Sequence, residues 1–372
     1  MKILWIPHCA WQTPQRARIF CEKLSEKHEV HATDIDANFN TIKDFISLRY
    51  IKNYFYRKKK EGNITLHHIP RISPALISKT LRNINYGIYS WYIQRIIERY
   101  DIDVVVSTGT VKPPKCKKLI FDLFDDNPAY WREFGIVKSY ANEIERIESE
   151  YIEKADAVVA VSSVLTEKVK EKGKSAHLIP NGIDIEKFES ADGSKIRRKF
   201  GLNGVVLGFI GKQDKYQELL NVVKASEYID KDLTFLVVGE GTSISPIQKY
   251  IAKNNIKNFK FTGFINPQNV HNYYKAIDIG LCPYMKTKGR DAGCSIKLLE
   301  YTAAGKPVVS TDLEEVKRMN FSNVILVKDN PESLAEGIEK VIDSNFKFKI
   351  PKKIDEYDAN KLVKKYEDVL MA

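Results

Sequence analysis

The chain has 372 residues, 43% of them hydrophobic and 11% aromatic, which is apolar material for two cores. Its five cysteines (Cys9, Cys21, Cys116, Cys282, Cys294) are odd in number, scattered and never spaced C-x-x-C, which argues against a disulfide framework or zinc site and for a reducing cytoplasm. No apolar run approaches the roughly 18 residues of a membrane span and the first residues are too short a signal peptide, so a soluble or peripheral protein is expected; of its net charge of +11, an excess of +9 falls within residues 41–100.

In chain order, residues 2–6 read as a first strand and 14–27 as a helix. The basic segment places aromatics beside cations from Ser47 to Lys60. It reads either as a solvated loop or helix, or as a face for an anionic membrane surface or a phosphate-bearing acceptor. Nucleic acid is not expected as a partner, because no nucleic-acid-binding motif accompanies the charge. Strands follow at 103–107, 118–123 and 157–161, and turn chemistry near 181–204 marks a boundary. Beyond it, apolar β-rich runs at 205–210, 234–239, 259–262, 277–282, 307–310 and 324–327 alternate with helical periods at 217–228, 245–254, 269–275, 296–304 and 333–342. This alternation predicts parallel, doubly wound sheets, and two such Rossmann-like domains bind ligands in loops after strands.

The most informative stretch runs from Asp291 to Ser310. It reads as a loop that feeds a helix near Ser295, stopped by Gly305 and followed by a buried strand. Free amides and the positive dipole end at the start of that helix, around Gly293, Cys294, Ser295 and Ile296, suit a diphosphate or sugar hydroxyls. Glu300, between Leu298-Leu299 and Ala303-Ala304, is placed to accept both hydroxyls of a ribose.

These residues, with Phe209 to Lys215, Val237 to Gly241, Phe261 to Phe264, Ala155 to Ser162 and Ile179 to Phe188, resemble the retaining GT-B glycosyltransferases with a Glu-x7-Glu signature, the group 1 or family 4-like enzymes. The resemblance implies two Rossmann-like domains facing across a cleft, at 1–188 on the acceptor side and 189–355 on the nucleotide-sugar side. It also implies a C-terminal helix within 356–372 that crosses back. Lys212 and Lys215, after Gly211, then neutralise the donor's diphosphate without a metal; Gly263 and Phe264 lie in the loop that reads the base; Glu300 matches the second signature glutamate. Ala292 stands where the first belongs, and Asp291 is the adjacent carboxylate. In the first half, His8 and Arg16 are candidates for phosphate or acceptor, and Asp125 for the catalytic centre. Ordinary helical and capping roles for Arg16 and Asp125 stand beside these.

The expected activity is transfer of a hexosyl or N-acetylhexosaminyl group from a nucleotide sugar to a glycan or lipid-linked acceptor, with retention and with neither cofactor nor metal. The expected location is the cytoplasm or its membrane face. Ala292, with no histidine beside Asp122 to Asp126, keeps an inactive sugar- or partner-binding subunit in view, and a nucleotide-sugar epimerase of the same fold is a further alternative.

Overall fold

The computed structural model describes residues 1–7, 11, 16–34, 55–70, 79–109, 111–133, 138–345 and 348–372. His8 and residues 47–54 of the basic segment lie outside them. The chain divides into two compact units, Met1–Pro180 with Asn360–Ala372, and Asn181–Ala359.

The strands of the first unit are β1 (Lys2–Ile6), β2 (Glu29–Asp34), β3 (Arg57–Glu61), β4 (Ile64–His68), β5 (Val104–Ser107), β6 (Leu119–Leu123), β7 (Ala157–Ala160) and β8 (His177–Leu178). They form one sheet in the order β3-β4-β2-β1-β5-β6-β7-β8, parallel except for the antiparallel pair β3 and β4. Its strands β1, β5 and β7 are buried and almost wholly apolar on both faces, as burial beneath helices on each side requires. On one face α1 (Arg16–Leu24) and α15 (Ala359–Met371) meet the sheet, and Tyr366 packs 5.3 Å from the ring of Trp5 and 5.2 Å from that of Phe20. Burying a side chain of this size contributes roughly 1.5–3 kcal/mol. Along α2 (Lys79–Tyr100), Tyr92 stacks 5.2 Å from Tyr56, just before β3.

The segment Arg57–Lys60 is a strand, neither the loop nor the helix expected for it. Its register is held from below. A hydrogen-bonded chain runs from Glu29 to His31 (3.0 Å), from His31 to His67 (2.8 Å) and from His67 to Tyr56 (2.7 Å). Burial holds both imidazoles below the usual histidine range, His67 at about 3, so they serve as neutral links.

The second unit opens with α6 (Ile185–Glu189) and α7 (Ser194–Phe200), two short helices within the stretch read as turns. Its strands are β9 (Val205–Ile210), β10 (Leu233–Val238), β11 (Phe259–Phe261), β12 (Ile279–Cys282), β13 (Val308–Thr311) and β14 (Val324–Val327). They pair in the order β11-β10-β9-β12-β13-β14, all parallel. The order reverses between β9 and β12, and open α/β sheets bind ligands beyond the carboxyl ends of such strands.

At that point the ladder is short, with only Ile279 and Gly280 registered against Leu207 and Gly208. The gap beyond is filled from α12 (Ile296–Ala303). The buried Tyr301 hydroxyl accepts from Ile210 N–H (3.0 Å) and donates to Gly208 O (2.8 Å). The ring lies where a side chain at 280 would project, since a Cβ on Gly280 would stand 2.4 Å from it. Gly280→Ala is therefore expected to cost about 1–3 kcal/mol by overpacking, read as a lower urea midpoint; an unchanged midpoint would show that Tyr301 moves aside freely.

Candidate functional site

The loops after β9, β10 and β11 are interlocked through glycines. Gly211 N–H donates to Val238 O (3.0 Å) and Gly239 N–H to Gly263 O (3.2 Å). Gly211, Gly239 and Gly263 have φ of +130°, +113° and +70°, and a Cβ on Gly239 would stand 2.2 Å from Gly211 O. Gln213 ties the first two loops together, its side-chain amide donating to Phe209 O (3.3 Å), Gly211 O (2.9 Å) and Val238 O (3.2 Å).

Rigid backbone beneath leaves two side chains presented outward. Lys212 is 81% exposed and pairs with Asp214 at 2.6 Å. Burial opposes ionisation of Asp214, but the bonds from Lys212 and Thr242 outweigh it and hold the carboxyl below its usual range. Phe264, beside Gly263, is 67% exposed, a large apolar face left in water. Lys215 is the N-cap of α8 (Tyr216–Ala225) and is part-buried.

The second wall is the start of α12. Ser295 is its N-cap, its hydroxyl accepting from Leu298 N–H (3.3 Å) and sharing a hydrogen bond with Tyr284 (2.7 Å). The first amides of a helix have no intrahelical acceptor, so those of Ile296 and Lys297 remain directed outward. Cys294 is buried and its carbonyl accepts from Asn181 (2.8 Å), while Gly293 N–H is bonded to Arg290 O (3.2 Å). Asp291 ends α11 (Lys288–Asp291) and accepts from Glu314 N–H (2.9 Å), which ties it to the first residue of α13 (Glu314–Met319). Ala292 is buried.

Glu300 lies one turn into α12, where the Tyr274 hydroxyl donates to it at 2.5 Å. Burial raises its carboxyl to about 7, against the opposing pull of Tyr274 and Lys297. Three residues of this wall were missed by sequence reasoning: Tyr274, Tyr284 and Lys297. For Lys297 a signal existed, a cation within the apolar run Ile296 to Leu299. Its ammonium stands 4.9 Å from the centroid of the Phe209 ring, and its Cε and Nζ lie 2.5 and 3.0 Å from where a Cβ of Gly211 would be. The β9 loop and the first turn of α12 are thus in contact.

The candidates in the first unit fall otherwise. Arg16 is 6% exposed; its guanidinium pairs with Asp122 (3.0 Å), donates to Pro180 O (2.7 Å) and lies 4.6 Å from the centroid of Phe20. Those contacts make it a support between α1, β6 and the end of the unit. Asp125 is part-buried in the turn after β6. The neighbouring Asp126 caps α3 (Asn127–Glu133) through Ala129 N–H (3.1 Å) and pairs with Lys168 (2.9 Å). Among the described residues, no three His, Cys, Asp or Glu side chains are grouped to hold a metal ion.

A parallel sheet of this order, with cations after one strand and a capped helix start beside them, defines an α/β protein of the anion- and nucleotide-receiving class. Comparison with known proteins narrows it. Residues 204–344 match the family model Glycosyl transferases group 1, and residues 54–187 match Glycosyltransferase Family 4. The chain belongs to these group 1, family 4-like glycosyltransferases and has the GT-B fold.

Among relatives, TuaH of Bacillus subtilis, named for a glycosyltransferase role in teichuronic acid biosynthesis, is 30% identical over 209 residues, 54% of this chain and 52% of that one. The chain spans about half the length of the first curated relatives it matches. Sucrose-phosphate synthase of Thermosynechococcus elongatus superposes with a TM-score of 0.80 at 12% identity, covering 100% of this chain and 98% of that one. HepE of Anabaena, solved in complex with UDP, gives 0.72 at 15% identity over 100% of each.

The state of Glu300 makes a stability signature. A carboxyl whose folded pKa is raised favours the fold when protonated; that contribution is complete below the unfolded value and disappears as pH rises to and through about 7. The thermal midpoint of Glu300→Gln, which stays neutral, is therefore expected to rise relative to wild type between pH 5 and pH 8. A difference that stays constant with pH would mean an ordinary, solvated carboxyl.

Proposed function

We propose that the protein moves a hexosyl or N-acetylhexosaminyl group from a nucleotide sugar to a glycan or lipid-linked acceptor, with retention of configuration. The observation that carries this reading is the meeting, at the β9/β12 reversal, of the Gly211-Lys212 loop with the Ser295-capped start of α12 and Glu300 one turn along. The complexes of HepE with UDP and with UDP-glucose support a donor of that type.

In this scheme the ribose hydroxyls go to Glu300 and the base lies against the Gly263-Phe264 loop. The diphosphate takes the amides of α12 and the cations Lys212 and Lys215. The bond from the anomeric carbon to the leaving phosphate oxygen breaks with its electron pair going to the diphosphate. The acceptor oxygen bonds to the same face of the sugar and gives its proton to that diphosphate. Fixed cations and helix amides stabilise the charge that develops, a role that needs no enzymic nucleophile.

The scheme is tested by incubating the protein with UDP-, GDP- and ADP-sugars and following release of nucleoside diphosphate. Release is expected in EDTA and is expected to fall about 100-fold or more in Lys212→Ala, in the range for loss of one fixed transition-state donor. A strict divalent-metal requirement would contradict the scheme. Conversion of the donor to its epimer with no release would identify an epimerase, and neither reaction, a binding subunit.

The basic edge supports a lipid-linked acceptor at the cytoplasmic membrane face. Arg57 to Lys60 are exposed on β3, the terminal strand, with Phe55 64% exposed before them. On α2, Trp91 is 53% exposed with Arg95 4.9 Å over its ring. Cations beside exposed aromatics suit anionic headgroups. Among the described residues no helix is long and apolar enough to cross a membrane. Replacing Lys58, Lys59 and Lys60 by Gln is expected to weaken binding to phosphatidylglycerol vesicles at least tenfold by sedimentation, at about 1 kcal/mol per cation near the surface. Unchanged sedimentation would remove the physical support for a membrane face.

A further inference from the structure

The second unit places one more cation in the donor site than the family signature calls for. Lys297 is the second residue of α12, and its stem runs across the Phe209 ring into the space that Gly211 leaves by having no side chain. Among the described residues no acceptor or carboxylate lies within hydrogen-bond or ion-pair distance of its ammonium. The carboxylates nearest in electrostatic terms are engaged elsewhere: Glu218 pairs with Arg290 at 2.9 Å, and Glu300 accepts from Tyr274. Burial depresses the ammonium's pKa, against a smaller attraction from Glu218.

Lys297 is part-buried, and a cation held against a ring and a loop backbone with no protein anion at its ammonium suits an anionic ligand. The position tells which ligand. Lys297 leans on the backbone one residue before Lys212, beside the outward amides of its own helix, so an anion held by those amides would meet its ammonium as well.

We propose that Lys297 is a third phosphate ligand, a preorganised cation that contacts the donor's diphosphate and stabilises it as it leaves. This rests on the donor reading above. It also gives the two outer charges distinct tasks. Lys212, exposed and paired with Asp214, must exchange one anion for another to reach the diphosphate, whereas Lys297 is in place beforehand and loses no partner. With Ala292 at the first signature position, the site holds its donor by the phosphates and ribose more than by a carboxylate on the sugar.

The test uses Lys297→Met, which keeps the stem over Phe209 and removes the charge, and Lys297→Arg, which keeps the charge. Calorimetric titration of the full chain with UDP, ADP and GDP identifies the diphosphate that wild type binds, and its nucleoside is measured by competition. The expected result is a loss of tenfold or more in affinity for the nucleoside diphosphate in Lys297→Met, nucleoside affinity unchanged, and partial recovery in Lys297→Arg. Equal affinity of wild type and Lys297→Met for the diphosphate overturns the proposal. So does an equal loss for nucleoside and diphosphate, which would mark a packing role. Should Lys297→Met not fold, Lys297→Gln is read in the same way. If wild type binds none of the three diphosphates, the donor reading itself falls and takes this inference with it, a pattern distinct from a loss confined to the variant.

Discussion

The contact on which the second unit's chemistry depends is the seating of one phenol, its ring against Gly280 and its hydroxyl on the backbone of Gly208 and Ile210. Where β9 and β12 separate, their ladder ends, and an inner strand would leave amides unpaired in an apolar interior at a cost of about 1–3 kcal/mol each. The hydroxyl of Tyr301 joins the end of β9 in place of the missing strand partner, and its ring occupies the volume that Gly280 leaves empty. Because Tyr301 is on α12, the bond that completes the sheet also sets the height and rotation of the helix. Ser295, Lys297 and Glu300 are carried to their places by a residue that touches no ligand in the proposed scheme.

The same economy governs charge. Two cations near the site have carboxylates of their own: Lys212 pairs with Asp214 at the surface, where such a pair contributes little to stability, and Arg290 pairs with the buried Glu218. The first turn of α12 carries the opposite arrangement, a cation and outward amides with no anion between them. An anion entering there meets a field already oriented and displaces little, which is the condition under which electrostatic stabilisation of a leaving group is most effective.

Much of this was legible in the residues, for identifiable reasons. Val205–Ile210 forms a strand over the stretch expected, because an inner parallel strand is an uninterrupted apolar run and little else resembles it. Ser295 was legible as a helix start through its cap chemistry. The first unit was harder to read. A strand of Arg-Lys-Lys-Lys-Glu has neither apolar run nor alternation, and only its partner β4 and the neutral histidine pair below make it one. Arg16 shows the converse limit: a first-turn arginine after a strand gives no local sign that its guanidinium pairs with Asp122, 106 positions along the chain. Long-range pairing of that kind leaves no local trace.

Lys297 and Glu300 also illustrate how environment, more than residue type, assigns a role. They lie three positions apart on one helix face, and each is perturbed chiefly by burial, the lysine toward losing its proton and the glutamate toward keeping one. Each shift favours the neutral form of its group. In the proposed scheme a diphosphate at the lysine would oppose the first shift, and ribose hydroxyls donating to the carboxylate the second, since both favour the ionised forms. Ligand binding and ionisation are therefore linked at both groups in that scheme.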